Sequence, residues 1–170
     1  LVIAERQTAG RGRGGHRWTS EAGMGIWLTM VERPSDPTAV DVLAIRLGLR
    51  AAAALEAFAG GPVQLKWPND LYVGAGKLCG ILVETRWREQ RIDWVAVGLG
   101  VNVRAPRDVQ HAAGLREGTA RVPVLERLVP AVRAAAAARG PLREGELAEY
   151  AARDLARGRT CREPAAGVVQ

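Results

Sequence analysis

The stretch from Val63 to Val103 constrains this chain more than any other. "VQLKW" (63–67) reads as a strand, and Pro68 holds Trp67 extended. "DLYV", the turn "GAG" and "KLCGILVETRW" make a hairpin. In "RIDWVAVGLGVNV" Ile92, Trp94 and Ala96 alternate with Asp93, Val95 and Val97, which is a strand returning antiparallel. Successive strands that fold straight back on one another build an antiparallel sheet, because parallel neighbours need a long crossover.

The flanking segments complete the class. Residues 1–6 read as a buried strand and 26–32 ("IWLTMVE") as a second. From Asp41 to Phe58, Val40, Leu43, Leu47, Ala51, Ala54 and Phe58 recur at three- and four-residue steps. That spacing predicts an amphipathic helix closed by Gly60-Gly61. After a polar loop (104–120), Leu125, Leu128, Val129 and Val132 mark a second helix, and 144–157 a third. Hairpin strands with helices between their groups give an α+β fold with a mostly antiparallel sheet. There is no internal repeat.

At 170 residues and 48% hydrophobic, the chain has material for one sizeable core. No apolar run approaches the roughly 18 residues of a membrane span. The opening "LVIAERQTAG" lacks a basic leader before an apolar stretch. Cys79 and Cys161 stand far apart and form no metal or disulfide pattern. A cytoplasmic protein is expected. The net charge of +6 comes mostly from arginines on alanine-rich stretches such as "RLVPAVRAAAAARG", a solvated-helix pattern, so no nucleic-acid partner is read from it. Leu1 is not Met, and "GRTCREPAAGVVQ" begins a strand–turn–strand and stops. The expected division is a domain over 1–157 and the first part of a truncated second domain over 158–170.

Four segments could carry chemistry. "QTAGRGRGGHRW" (7–18) holds four glycines and three arginines. Gly10, Gly12 and Gly15 satisfy GxGxxG, but "HRWTSEAGMGIW" leads to a strand and not to the helix a dinucleotide site needs. Two readings remain: a mobile solvated loop, or an anion-binding loop whose backbone N–H groups approach a ligand beside Arg11, Arg13 and Arg17. In the second reading, an anionic ligand orders a loop that otherwise repels itself.

In "KWPND" (66–70), Asn69 and Asp70 present one amide oxygen and one carboxylate side by side. That is too little for a calcium cage. It suits Mg²⁺ shared with phosphates, or else simply a hydrogen-bonded turn. In "GKLCGILVE" (76–84), Lys77 sits at a strand start at the edge of the core, and Gly80 is an interior strand glycine of the kind that marks close approach. "GLGVN" (98–102) puts Gly98 and Gly100 on one strand face, ended by Asn102. No nucleophile set accompanies His16 or His111, which read as surface residues.

In this order and spacing, "QTAGRGRGGHRW", "KWPNDLYVGAGKLCGILVE" and "VGLGVNV" look like the catalytic domain of the biotin–protein ligases, over about Ile3 to Leu155. The resemblance implies an enzyme that converts biotin and MgATP to biotinyl-5′-AMP and then acylates a lysine of a biotin carboxyl carrier protein. It implies Lys77 and Arg13 as the catalytic residues, with Lys77 bridging the biotin carboxyl and the α-phosphate. Gln7 and Gly10, Arg11, Gly12 and Arg13 would hold biotin and the adenylate, with Trp18 walling the rings and Gly80 and Gly98 making room. Asn69 and Asp70 would hold Mg²⁺, with Lys66 and Asn102 near the ATP phosphates.

The chain departs from that family at Gly14 and His16, often basic there, and lacks the Ser-Thr-Asn motif that precedes this region in the family. A lipoate–protein ligase-like acyltransferase shares the fold and adenylate chemistry, but the intact "GRGRGG" and "KWPND" argue against it. A remnant that binds biotin or its adenylate without turnover is the non-enzymatic alternative.

Overall fold

A computed structural model describes residues 1–161 and 167–169. Six strands form one sheet: β1 (Val2–Ala4), β2 (Gly25–Glu32), β3 (Val63–Lys66), β4 (Asp70–Val73), β5 (Gly76–Arg88) and β6 (Arg91–Asn102). Their order across the sheet is β1-β2-β6-β5-β4-β3, and every neighbouring pair is antiparallel. The expected α+β class and antiparallel sheet are what the chain builds.

Period-two alternation gives the sheet two different faces. One carries Ile26, Leu28 and Met30 of β2, Cys79 and Ile81 of β5, and Val95, Val97, Leu99 and Val101 of β6, all buried. Against it pack helices α1 (Leu43–Glu56) and α2 (Arg121–Ala137), through Leu43, Leu47 and Leu55 and through Val124, Leu128 and Val132. The other face shows Thr29, Ala96, Gly98, Gly100, Leu82 and Gly80 to the loop before β2, and it forms the floor of a cleft.

The third helix is shorter than its pattern predicts. Helix α3 (Glu144–Arg153) stops before 157 because the Leu155 N–H donates to the Leu65 carbonyl at 2.8 Å, drawing the chain along the outer edge of β3. Of the strand–turn–strand expected after Gly158, β7 (Thr160–Cys161) and β8 (Gly167–Val168) pair antiparallel, and residues 162–166 lie outside the described residues. No described helix is long and apolar enough to cross a membrane.

Hydrophobic periodicity could not show what docks α3. Arg46, on the buried face of α1, is 1% exposed and donates through Nε to Glu146 Oε1 at 2.7 Å. Its Nη2 reaches Glu146 Oε2 at 3.1 Å and the Pro141 carbonyl at 2.8 Å. Hydrogen bonds from Arg46 hold the Glu146 carboxyl down at about 2, against an ordinary 4.5. A carboxyl depressed in the folded state contributes stability that is complete above the unfolded value and is lost as pH falls through the folded one. Acid unfolding should therefore draw on this pair between about pH 4.5 and 2. Glu146→Ala leaves Arg46 buried and uncompensated, and should cost about 3–5 kcal/mol in denaturant titrations at neutral pH. The variant should also show a flatter stability profile between pH 5 and pH 2.

Candidate functional site

Lys77 faces the cleft because β5 carries one residue too many. Asp70 pairs with Gly80 and Leu71 with Cys79, but the next pair is Tyr72 with Lys77, so Leu78 is an extra residue opposite no partner. A bulge of this kind shifts the alternation by one. Without it Lys77 would point with Cys79 and Ile81 into the core. With it, Leu78 is buried and Lys77 shares the cleft face with Gly80. The backbone there is tightly held. The Lys77 N–H donates to the His111 carbonyl at 2.6 Å, and the Lys77 carbonyl accepts from Ala113 N–H at 2.8 Å and from Asn102 Nδ2 at 3.1 Å. His111 thus contributes its backbone, while its side chain is exposed as expected.

The Lys77 ammonium lies 2.7 Å from Asp70 Oδ1 and 5.2 Å from the centre of the Trp18 ring. Both side chains of the ion pair are partly exposed, 31% for Lys77 and 20% for Asp70. Beside them Asn69 donates through Nδ2 to the Ile81 carbonyl at 2.7 Å, which leaves its amide oxygen as the group available to a ligand. Asp70 and Asn69 fit only a cation that draws most of its ligands from phosphates and water. Among the described residues no cluster of three or more acidic, histidine or cysteine side chains could hold a metal unaided.

The loop before β2 closes into a hairpin. Arg11 and Arg17 face each other across an antiparallel bridge, the Gly12 N–H donates to the His16 carbonyl at 2.7 Å, and the Trp18 N–H donates to the Gly10 carbonyl at 2.9 Å. Gly14 and Gly15 take φ of 68° and 80° at its tip, which side chains rarely adopt. Ser20, buried, ties the hairpin's base by donating to Gln7 Oε1 at 3.2 Å. At its far side Arg11 Nη2 lies 3.1 and 3.2 Å from the two carboxylate oxygens of Glu84.

The strand glycines divide into two kinds. Gly80 and Gly100 are cross-strand partners, and Trp18 lies on both. A Cβ on Gly100 would come within 2.5–2.7 Å of the indole, and one on Gly80 within 2.8 Å. Gly80 therefore makes room for Trp18, not directly for a ligand. At Gly98 a Cβ would meet nothing closer than 3.6 Å, so that position opens into the cleft. Trp18 also meets Trp27 edge-on, with ring centres 6.2 Å apart.

The resulting cleft has an empty volume of about 740 Å³. Its floor is Gly98, Leu82 and Ala96, its roof Gln7, Ala9 and Gly12, and Lys77 stands at one end. Arg13 lines both this cleft and an adjoining lobe over Asn69 and Asp70. A third lobe runs between Trp18, Asn102 and the loop Pro106–Ala112, and Lys77 and Trp18 line all three. Among the described residues Arg13 and Arg17 take part in no ion pair. Lys66 is not brought to this junction: it is exposed, with its ammonium 5.4 Å from the centre of the Tyr72 ring.

A family model described as "Biotin/lipoate A/B protein ligase family" matches residues 1–102. The chain belongs to that family. It is 38% identical over 109 residues to the bifunctional ligase/repressor BirA of Bacillus spizizenii, covering 64% of this chain and 34% of that protein. It is 39% identical over 129 residues to the biotin–[acetyl-CoA-carboxylase] ligase of Paracoccus denitrificans, covering 72% of this chain and 50% of that one. The chain thus spans a third to a half of the length of these two relatives. Among solved structures, the biotin protein ligase of Aquifex aeolicus in complex with biotin and ATP superposes with a TM-score of 0.69 at 27% identity, over 93% of this chain and 69% of that one.

Sequence reasoning about this ligase-family chain left Ser20, Thr29, Glu84 and Gly100 out of the site. A signal existed for Gly100, which alternates with Gly98, whereas the others reach the site only through strand register and loop closure. The glycine geometry makes a direct prediction. Gly100→Ala must displace Trp18 and should destabilise by about 1–3 kcal/mol, on the order of 2–10 °C in melting temperature. Gly98→Ala should melt at or above the parent temperature, because a strand gains from the side chain and nothing obstructs it.

Proposed function

We propose that this chain carries the biotin-activating site of a biotin–protein ligase, working on biotin and ATP with a biotin carboxyl carrier protein as acceptor, in the cytoplasm. The observation that carries the reading is the position of Lys77: a cation at the meeting point of an apolar-floored cleft and two more open lobes. In the first half-reaction a biotin carboxylate oxygen attacks the α-phosphorus of ATP, and the bond to the bridging oxygen of pyrophosphate breaks. In the second, a carrier lysine amine attacks the acyl carbon of biotinyl-5′-AMP, AMP leaves, and the amine gives up its proton.

The carboxylate is itself the nucleophile, so the protein need only align the reactants and neutralise charge. Biotin's rings fit the floor at Gly98, Leu82 and Ala96, with Gln7, oriented by Ser20, facing their polar groups. The valerate tail then points at Lys77. Two anions must meet there, and the ammonium of Lys77 with the guanidinium of Arg13 offsets their repulsion as charge builds on the α-phosphate. Asn102 acts through the backbone, by fixing the Lys77 carbonyl. Asp70 and the Asn69 amide oxygen would hold Mg²⁺, whose chemistry there is charge neutralisation on the ATP phosphates.

The test is biotin-dependent exchange of labelled pyrophosphate into ATP by the full chain. Lys77→Ala should lower the exchange rate at least ~100-fold, the scale of losing one charge-stabilising donor, with an unchanged fold by circular dichroism. Exchange near the parent rate would remove Lys77 from the chemistry. Asp70→Ala should raise the KM for MgATP about tenfold or more while leaving the calorimetric affinity for biotin within about threefold, since biotin brings no metal. Equal losses for both ligands would instead assign Asp70 to aiming Lys77, the contact its carboxylate makes in the unliganded protein.

A further inference from the structure

Where β6 ends at Asn102, the place beside β5 is taken by the loop that follows. Lys77 and Ala112 form a parallel bridge there, with the Lys77 N–H on the His111 carbonyl and the Ala113 N–H on the Lys77 carbonyl. The loop lies this close because Gly76 has no side chain: a Cβ there would come within 2.8 Å of the Ala113 methyl. His111 opens the bridge with φ of 55°. Among the described residues the other non-glycine with positive φ is Glu89, at the tip of the β5–β6 hairpin.

At His111, φ sets the angle between the arm arriving from Gln110 and the carbonyl that reaches Lys77. An ordinary φ would move one of the two: the arm out of the lobe it lines, or the carbonyl off Lys77. Beyond the bridge the loop is tied down, because the Leu115 N–H lies 3.2 Å from the Asn102 carbonyl and 3.1 Å from that of Val103. The adjustment would therefore fall on the His111 side. Glycine takes a left-handed backbone freely, asparagine and histidine tolerate it, and β-branched residues tolerate it least.

We propose that His111 is a positioning residue for Lys77: its left-handed backbone aims the carbonyl that holds the Lys77 N–H, and so keeps the bulge that turns the ammonium into the cleft. The inference rests on the proposed function only in naming the reaction that the ammonium serves. Without this hydrogen bond the Lys77 N–H is unpaired and little opposes a return to regular pairing, which would swing the side chain away from Asp70 and Trp18. The role belongs to the backbone, so replacements should rank by their tolerance of positive φ and not by the chemistry of the imidazole.

Two measurements on the full chain test this. The sequence holds two lysines, Lys66 and Lys77, so reductive methylation with carbon-13 gives lysine NMR signals that Lys77→Ala assigns. With its ammonium 5.2 Å from the centre of the Trp18 ring, Lys77 carries a ring-current shift. That shift should be lost in His111→Val and kept in His111→Gly and His111→Asn. In biotin-dependent pyrophosphate exchange, His111→Gly and His111→Asn should keep kcat within about twofold of the parent, and His111→Val should lose at least ~10-fold with the KM for biotin within about threefold. His111→Ala should fall between these groups in both measurements, and it replaces His111→Val if that variant does not fold by circular dichroism. In the Lys77→Ala background, His111→Val should lower the residual rate by less than about twofold, because its effect passes through Lys77.

A parent-like rate in His111→Val overturns the proposal. So do losses in His111→Gly and His111→Asn as large as in His111→Val, which would assign the role to the imidazole. An undiminished further loss in the Lys77→Ala background also overturns it, leaving His111 as a residue of loop stability. A displaced Lys77 signal in His111→Val, with no exchange activity in the parent, would sink the proposed function and leave the positioning role standing. Exchange activity in the parent with an unmoved Lys77 signal in His111→Val would do the reverse.

Discussion

The polar groups of the cleft are arranged around Lys77, and Lys77 reaches them only because Leu78 is an extra residue in β5. A strand offers each side chain one of two faces, and a one-residue slip exchanges them. In register, the ammonium would enter a face made of Cys79, Ile81 and Val97, where an unpaired charge is not tolerated. The bulge removes that conflict and buries Leu78 instead. The shift is then locked by the loop strand at His111–Ala113, which hydrogen-bonds both backbone groups of Lys77, and by the Asn102 amide. Three segments distant in sequence therefore hold the orientation of one side chain.

The same sheet solves a second problem, how to cover a cleft without filling it. Two bare backbones, Gly80 and Gly100, sit side by side and accept the flat face of Trp18. Two residues along β6, on the same face, Gly98 is left uncovered. An indole seated this low carries the roof loop down onto the sheet near Lys77 while leaving the volume beyond it open. Burial of the ring is large enough to anchor a short glycine-rich hairpin that has few other apolar contacts.

How much of this was legible in the sequence follows from the range of each interaction. Strand alternation and helix periodicity are local, so the sheet, α1 and the two-faced character of β6 could be read directly. The grouping of Lys77, Asp70, Asn69 and the glycine–arginine loop was legible as a family pattern. Its geometry was not, because the Leu71/Tyr72 register shift leaves no mark on residue type. Arg46 was invisible for another reason. A charged residue on the apolar stripe of a helix reads as a break in the pattern until its partner, 100 residues away, is known. The hairpin shape of the loop at 10–17 was not legible from composition, although its glycines supply the positive φ values of the tip. The early end of α3 depended on an edge of β3 that only the tertiary fold presents.

The charges around the cleft are unevenly balanced, which bears on the proposed pairing of a neutral ring system with a polyanion. Lys77 is matched by Asp70 and Arg11 by Glu84, so two of the four cations around the loop are balanced by the protein's own carboxylates. Arg13 and Arg17 are not balanced among the described residues, and both lie on the side of Trp18 that faces the open lobes. The excess positive potential is therefore concentrated where phosphates would sit and is cancelled at the end where rings would sit. Ion pairs this exposed are each worth about 1 kcal/mol or less, so either can be opened by an incoming ion that offers a stronger partner. Under the proposed function, a phosphate beside Asp70 would compete for Lys77, and a divalent cation bound with the nucleotide would be suited to take up the carboxylate. On the same reading, Asp70 would hold the cation and Lys77 would then be available to the phosphate, so the contact between them links the two roles.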